Sequence, residues 1–313
     1  MTVALLLLAF GGPRSLDEVE PFLTRLFRGR KPSAEQMEKI KERYRSIGGS
    51  SPLPGITLLQ AKALEERLMS DGYRLKSYVG MRYGHPLIEE TLTEILKDGI
   101  QAGIALPMAP FRSGASTGAY IAEVNRIRKE MGARIEISFI EGWHSHPLFI
   151  EAIEEKIEEG LTRFTAEERK GLHLIFTAHS LPESLVENDS YVKDMEETVR
   201  LILKEIEALP WHIAFQSRGM GQGDWLGPDV ESIMADLSRQ KVRNILLIPV
   251  GFVADHIEVL YDIDVIYRSK AEGMGVRLER TASLNASHRF IGALVEMVKE
   301  HMKRRSSSLS GVF

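Results

Sequence analysis

The sequence predicts an α/β protein of two similar doubly wound domains that meet at a cleft, each with a parallel sheet of about four strands flanked by helices. Three observations lead to this prediction. The chain has 313 residues, enough for about two domains of roughly 150 residues each. Short apolar runs alternate with amphipathic stretches of helical spacing along nearly all of it. The halves also resemble each other, since residues 105–110 take the place in the first half that residues 247–252 take in the second.

Apolar runs are predicted to form the strands. Most are continuous rather than alternating in polarity, as is typical of parallel strands covered on both faces. The run at the N-terminus lacks the basic region and small-residue cleavage site of a signal peptide, which favours a buried strand. The predicted strands are residues 3–10, 75–80, 100–108, 135–140, 173–178, 212–216, 245–250 and 276–280.

Helices are predicted between the strands, and the alternation of the two indicates βαβ units. The amphipathic stretches are residues 58–69, 87–97, 147–164, 190–209 and 230–240, with a final helix at about residues 287–303. We place the domain boundary near residues 143–147, so that the N-terminal domain is residues 1–145 and the C-terminal domain is residues 146–313. The final helix follows the last strand and is placed to pack back across the first domain.

One segment between the first two strands departs from this pattern. It is longer than one crossover helix requires, and we interpret about residues 14–56 as an insertion that forms a lid or binding wall. Its basic and aromatic side chains include Arg28, Arg30, Lys31, Arg43 and Tyr44. Arginine binds carboxylates bidentately, and aromatic residues here and at Phe10 suit a large flat ligand with acidic edges. The alternative is ordinary solvated charge.

The composition limits the classes of function. With 40 Lys and Arg against 44 Asp and Glu, the net charge of −4 argues against nucleic-acid binding. The absence of cysteine excludes disulfides, thiolate zinc sites and cysteine-ligated iron–sulfur clusters. No P-loop motif is present, so no nucleotide is expected. No run approaches the roughly 20 apolar residues of a membrane span. We therefore expect a cytoplasmic protein, and a monomer because nothing marks an oligomer interface.

His179 is the first candidate functional residue. It ends a predicted buried strand and precedes Ser-Leu-Pro, which forms a rigid turn. The carboxyl ends of parallel strands face the ligand crevice of an open α/β sheet. An imidazole at this place can bind a metal ion, accept a proton, or do both. The alternative is a hydrogen-bonded histidine with a structural role only.

Three acidic residues follow a later predicted strand. Asp255, Glu258 and Asp262 are spaced i, i+3 and i+7, so they share one face if the segment is helical. Apolar residues surround them, and carboxylates in such surroundings require a cationic partner. A divalent cation held by carboxylate and imidazole would supply it. A charged face on an ordinary surface helix is the alternative.

Four segments, in order along the chain, resemble the motifs of the ferrochelatase family. They are residues 43–53, 177–182, 216–218 with 225–229, and 249–262, and together they extend over nearly the whole chain. The resemblance implies two Rossmann-like, chelatase-type domains with a porphyrin cleft between them. It implies insertion of Fe²⁺ into the porphyrin with release of two protons. Iron is then a substrate, and neither a nucleotide nor an iron–sulfur cluster is expected.

The resemblance also implies the roles of individual residues. His179 and Glu258 would face each other across the macrocycle. One would deliver the metal and the other would remove the pyrrole protons, and the sequence leaves open which residue has which role. Asp262, and more weakly Asp255, would continue the metal-binding line. The positions that match porphyrin-wall or propionate contacts are Phe10, Arg28, Arg30, Arg43, Tyr44, Ser51, Ser113, Ser116 and Tyr120.

The chain departs from some members of the family. Phe10 stands where the Bacillus-type enzymes have a tyrosine, and a phenyl ring cannot ligate the iron of the product haem. Ile266 stands at the second acidic position past Asp262, which implies a shorter outer line of metal ligands. The cysteines of the vertebrate-type cluster are absent.

The substrate and some alternatives stay open at this stage. Residues 28–32 and 251–260 resemble the branch that uses coproporphyrin III, with protoporphyrin IX as the other candidate. A peripheral contact with a membrane or a haem acceptor is compatible with the sequence. The rival functions are a non-catalytic haem or metal carrier, a chelatase of the same fold that acts on a corrinoid precursor, and a two-domain sugar- or amino-acid-binding protein.

Overall fold

Two parallel four-stranded sheets form the framework of the chain. The computed structural model describes residues 2–219 and 223–310. The first sheet has the order β2-β1-β3-β4 and the second the order β6-β5-β7-β8, so the two halves repeat one topology. This confirms the predicted fold class, and every predicted strand is present with ends within two residues. The strands are β1 (Val3–Ala9), β2 (Leu75–Met81), β3 (Ala102–Pro107), β4 (Glu136–Phe139), β5 (Leu172–His179), β6 (Trp211–Gln216), β7 (Asn244–Ile248) and β8 (Arg277–Arg280).

Helices connect and cover the strands. The predicted helix at residues 190–209 is shorter than expected, because the chain must turn before β6 begins at Trp211. The α-helices of the described residues are α1 (Val19–Leu26), α2 (Ala34–Ser46), α3 (Leu53–Ser70), α4 (Ile88–Lys97), α5 (Thr117–Glu130), α6 (Pro147–Leu161), α7 (Ala166–Arg169), α8 (Glu183–Val186), α9 (Tyr191–Ile202), α10 (Val230–Arg239), α11 (Arg268–Gly273) and α12 (His288–Ser310). A short 3₁₀ helix (Leu16–Glu18) and a π-helix (Glu258–Tyr267) complete the set.

The two central strands of each sheet are buried on both faces along most of their length, as their continuous apolar sequences predict. Residues 5–8 of β1 are at most 1% exposed. A single apolar cluster extends from the first sheet through α6 and α12 to the second sheet. The last helix also touches the first half through polar contacts, since Lys299 lies 2.7 Å from Asp71 and His301 Nε2 lies 2.8 Å from Ser138 Oγ. The division near residue 145 stays a prediction.

The insertion after β1 contains α1 and α2 and has a small core of its own. Val19, Phe22, Leu23 and Tyr44 are buried together there. Ser33 begins α2 with a capping box, in which its hydroxyl accepts from the N–H of Gln36. Tyr44 is 3% exposed. It therefore packs the insertion internally, and its role as a porphyrin contact stays a prediction.

A pair of histidines at the start of β5 and β6 gives a testable dependence of stability on pH. The rings of His173 and His212 stack, with Nδ1 of the first 3.0 Å from Nε2 of the second. Burial lowers the pKa of both, and for His173 the charge of His212 lowers it further. The unfolded chain then takes up protons at a pH where the native pair stays neutral. The free energy of unfolding therefore falls as pH drops below about 6.5.

We expect the variant His212→Gln to weaken this dependence between about pH 7 and pH 5. The slope of unfolding free energy against pH should decrease, by at most about 1.4 kcal/mol per pH unit for each histidine removed. Urea titrations at several pH values measure it. His85→Gln, which removes a partly exposed imidazole outside this pair, is the matched control. Equal slopes in wild type and His212→Gln would contradict the assignment.

Candidate active site

A cleft opens between the carboxyl ends of the two sheets. It encloses about 1110 Å³, including its open mouth. Phe10 after β1, Met108 after β3, His179 at the end of β5 and Gly251 after β7 all line it. Ligands of open α/β folds bind at such strand ends. The two matching sheets thus place one shared crevice between them.

His179 reaches the cleft from the last position of β5. Its Nδ1 contacts the carbonyl oxygen of Ser180. A carbonyl can only accept, so Nδ1 carries a proton and the lone pair of the neutral ring is on Nε2. The hydroxyl of Tyr191 donates to the carbonyl of His179 at 3.0 Å, which holds the backbone beneath the ring. The free nitrogen faces the cleft.

Glu258 lies opposite this nitrogen. Its Oε2 is 3.5 Å from Nε2 of His179 and 3.8 Å from Nε2 of His256. Nδ1 of His256 donates to the carbonyl of Ala254, so this ring has the same tautomer as His179. Oε2 is itself buried and accepts no hydrogen bond. Two imidazole nitrogens with lone pairs therefore border one buried carboxylate oxygen, and a proton bound between them would relieve their repulsion.

The charges of this group depend on one another. Burial lowers the pKa of His179, but the carboxylate of Glu258 raises it by more, and the pKa lies above its ordinary value. Burial raises the pKa of Glu258, but His179 and His256 together hold it well below the usual range. The pair is thus poised as a basic imidazole beside a persistently anionic carboxylate.

The acidic segment is a π-helix that begins at Glu258, rather than the predicted α-helix. Asp255 lies in the loop before this helix. Asp255 accepts hydrogen bonds from Ser283 and Asn285 at 2.7 and 2.8 Å, away from the residues that line the cleft. The weaker role of Asp255 as a metal ligand stays a prediction.

Asp262 lies one turn beyond Glu258 in the π-helix. Its Oδ2 accepts from the hydroxyl of Ser217 at 2.6 Å. Burial and the carboxylate of Glu258 raise the pKa of Asp262, while Ser217 and Arg43 oppose the rise. Asp262 does not line the cleft, so its role as a metal ligand stays a prediction. Ile266 packs beside the apolar cluster of the second domain.

Three of the predicted porphyrin contacts line the cleft, namely Phe10, Ser116 and Tyr120. Phe10 is 40% exposed, and its ring packs on Tyr83 with centroids 4.7 Å apart. Burial raises the pKa of Tyr120, which keeps its hydroxyl protonated. An aromatic ring and two hydroxyl groups thus form part of the first domain's wall.

The other predicted contacts lie elsewhere. Arg28 and Arg30 are exposed on the loop after α1, where neither lines the cleft. Arg43 stacks over the ring of Tyr261 at 5.4 Å. Ser51 and Ser113 are buried at turns, where Ser51 donates its N–H to Pro13 and the Oγ of Ser113 accepts from Ala115. Their roles as porphyrin contacts stay predictions, because polarity and spacing do not fix how an insertion or a turn orients its side chains.

Sequence reasoning missed Arg82, Tyr191 and Gln60, all of which line the cleft. Arg82 directly follows β2, and its guanidinium lies over the rings of Tyr83 and Tyr120. Arg82 could have been predicted in the same way as His179, because residues at the carboxyl ends of parallel strands face the ligand crevice. Nothing in the sequence marked Tyr191 or Gln60.

Within residues 2–219 and 223–310, no three His, Asp or Glu side chains converge closely enough to hold a metal ion. Across the same described part, none of the helices has the length and apolarity needed to cross a membrane.

The fold and the site together define a chelatase-type α/β protein. The sirohydrochlorin chelatase SirB from Bacillus subtilis subspecies spizizenii, solved in complex with cobalt, is similar with a TM-score of 0.57. The likeness covers 96% of this chain and 95% of that chain at 12% sequence identity. At that identity it concerns the fold alone.

Sequence comparison is more specific. The ferrochelatase family profile matches residues 2–302. A ferrochelatase of Geotalea uraniireducens is 40% identical, covering 94% of this chain and 96% of its own. A coproporphyrin III ferrochelatase of Oceanobacillus iheyensis is 37% identical, covering 96% of this chain and 97% of its own. The chain belongs to the ferrochelatase family, as its four motifs predicted.

Proposed function

We propose that this protein inserts Fe²⁺ into coproporphyrin III in haem biosynthesis, with His179 as the proton acceptor and Glu258 as the group that guides the metal. The observation that carries the proposal is the 3.5 Å approach of Nε2 of His179 to a buried Oε2 of Glu258 that accepts no hydrogen bond. A base and an anion then face one point in a cleft open enough for a flat ligand.

The reaction requires both kinds of group. Fe²⁺ replaces the two N–H protons of the free-base macrocycle, so two protons leave as one dication enters. A general base works best when its pKa lies near the working pH. The carboxylate of Glu258 raises the pKa of His179, which makes its imidazole a stronger base than a free histidine, and the ring accepts a proton on Nε2 because Nδ1 is already protonated.

Glu258 is suited to the metal rather than to the proton. Its lowered pKa makes the carboxylate a weak base that keeps its charge near neutral pH. Carboxylate oxygen and imidazole nitrogen are both ligands for Fe²⁺. Nε2 of His256 lies 3.8 Å from the same oxygen, so a second imidazole nitrogen borders the point to which the carboxylate would guide the metal.

The macrocycle is assigned to the surface made by Phe10, Arg82, Ser116 and Tyr120. A phenyl ring offers a face for stacking, and the guanidinium of Arg82 offers bidentate hydrogen bonds to a propionate. A cleft that binds a bent macrocycle better than a flat one would expose the lone pair of a ring nitrogen to the metal, which is catalysis by differential binding.

Coproporphyrin III is favoured over protoporphyrin IX by the likeness of residues 28–32 and 251–260 to the branch that uses it. The relative from Oceanobacillus iheyensis carries that substrate in its name. Four propionates also give the cations at the cleft and its rim more acceptors than two would. We place the reaction in the cytoplasm and assign it to a monomer.

An anaerobic absorbance assay of the purified protein with Fe²⁺ tests the proposal. Coproporphyrin III and protoporphyrin IX run in parallel, and the expected result is metal insertion with a higher kcat/KM for coproporphyrin III. A faster reaction with protoporphyrin IX would overturn the substrate assignment. Tight binding of both porphyrins without metallation would instead indicate a carrier. Metallation of a corrinoid precursor, and of neither porphyrin, would indicate a chelatase of the same fold that acts on such precursors.

A further inference from the structure

The loop of residues 108–116, between β3 and α5, forms a large part of the cleft wall and has no regular secondary structure. We call it the wall loop. Its residues that line the cleft are Met108, Ala109, Pro110, Phe111, Ala115 and Ser116. A segment without a ladder of backbone hydrogen bonds needs other contacts to hold its shape.

Two carboxylates of the second half supply those contacts. Asp194 of α9 accepts from the backbone N–H of Arg112 at 2.9 Å, and from its guanidinium at 3.1 Å and 2.9 Å. Asp189, just before α9, accepts from the backbone N–H of Gly114 at 3.2 Å. The side chain of Asp194 is 2% exposed, and His144 Nδ1 lies 3.4 Å from it. Charge-assisted and bidentate hydrogen bonds of this kind are strong and directional.

The same segment also supports His179. Tyr191 stands one turn before Asp194 in α9 and donates its hydroxyl to the carbonyl of His179. Its backbone N–H bonds to Asp189 at 2.9 Å. The ring of Phe111, in the wall loop, packs edge-on against Tyr191 with centroids 5.8 Å apart. The start of α9 thus joins the wall loop to the backbone of His179.

We infer that Asp194 is a positioning residue for the substrate: by fixing Arg112, it holds the wall loop at the distance from His179 that a flat tetrapyrrole requires. The inference rests on the proposed function. Asp194 touches neither substrate nor metal, and it acts through the wall loop. Its loss therefore weakens binding of the macrocycle rather than the proton transfer.

Asp194→Asn replaces one acceptor oxygen with an amide that faces the guanidinium donors. We expect the porphyrin Kd, measured by fluorescence quenching, and the porphyrin KM to rise about tenfold, as for loss of one charge-assisted hydrogen bond. We expect kcat and the KM for Fe²⁺ to stay within about threefold, the sign of lost uniform binding. Arg112→Gln, at a side chain 51% exposed, should act in the same direction without a folding defect.

Controls separate positioning from general structure. Glu197→Gln changes a half-exposed carboxylate on the same helix that contacts His144 but not the wall loop, and it should leave the porphyrin Kd unchanged. The double variant Asp194→Asn/Arg112→Gln should weaken binding no more than the larger single effect. Unchanged porphyrin Kd in both single variants, or a fall in kcat at constant KM, would overturn the inference. If the wild-type protein bound porphyrin without metallating it, the proposed function would be refuted. The role of Asp194 would still be tested, because the comparison of porphyrin Kd between wild type and variants does not require turnover.

Discussion

Replacing His179 with alanine is expected to lower kcat for metal insertion by about 10²–10⁴-fold, the usual contribution of a positioned general base. The imidazole offers the lone pair of Nε2 to the cleft. Glu258, the other member of the pair, has no side-chain nitrogen that could replace it. The KM for Fe²⁺ should vary little, since Glu258 is retained. An anaerobic absorbance assay at saturating porphyrin measures kcat, and fluorescence quenching measures porphyrin affinity.

Porphyrin affinity should persist in His179→Ala, because the substitution leaves the residues assigned to the macrocycle, Phe10, Arg82, Ser116 and Tyr120, unchanged. His85→Ala is the matched control, as it removes a partly exposed imidazole that does not line the cleft. If His179→Ala retained the wild-type kcat, the assignment of this imidazole as the base would be refuted.

Replacing Glu258 with glutamine is expected to lower kcat/KM for Fe²⁺ by about 100-fold or more, the scale of losing one preorganised electrostatic group. Much of the loss should lie in the KM for Fe²⁺, in contrast to His179→Ala. Asp255→Asn is the control, because Asp255 bonds to Ser283 and Asn285 outside the cleft. An unchanged KM for Fe²⁺ in Glu258→Gln would transfer metal guidance to another group.

The same substitution changes the titration of His179. Without the carboxylate, burial dominates, so the pKa of His179 should fall relative to wild type. A raised native pKa stabilises the fold below the unfolded value of about 6.5, and that stabilisation is lost as pH rises through the native pKa. Wild type should therefore gain stability relative to Glu258→Gln as pH falls from about 8 to 6. NMR titration of the imidazole and urea unfolding at each pH measure the two effects.

The framework could be predicted from the sequence because burial leaves a direct mark on composition. Strands covered on both faces must be apolar throughout, so β1 and β7 were visible as unbroken runs. His179 and Glu258 were found because ionisable residues just past such runs fall at the sheet edge where ligands bind.

The parts that failed depend on local geometry rather than on burial. The helix of the acidic segment begins at Glu258, so Asp255 precedes it and the i, i+3 spacing does not place the two carboxylates on one helical face. Tyr44 shows the same limit within the insertion, where an aromatic residue packs a small core as readily as it contacts a ligand. Arg82 needed only the reasoning that identified His179, applied to β2.

The repeated strand order has a consequence for how the chain can change. β1 and β5 occupy equivalent positions in their sheets, yet the first is followed by Phe10 and the second ends in His179. The surface assigned to the macrocycle comes from one copy of the topology, and the imidazoles and carboxylates come from the other. The two sheets thus carry different parts of the proposed site, and we expect substitutions confined to the first half to alter the shape of ligand accepted while the proposed reactive groups stay unchanged.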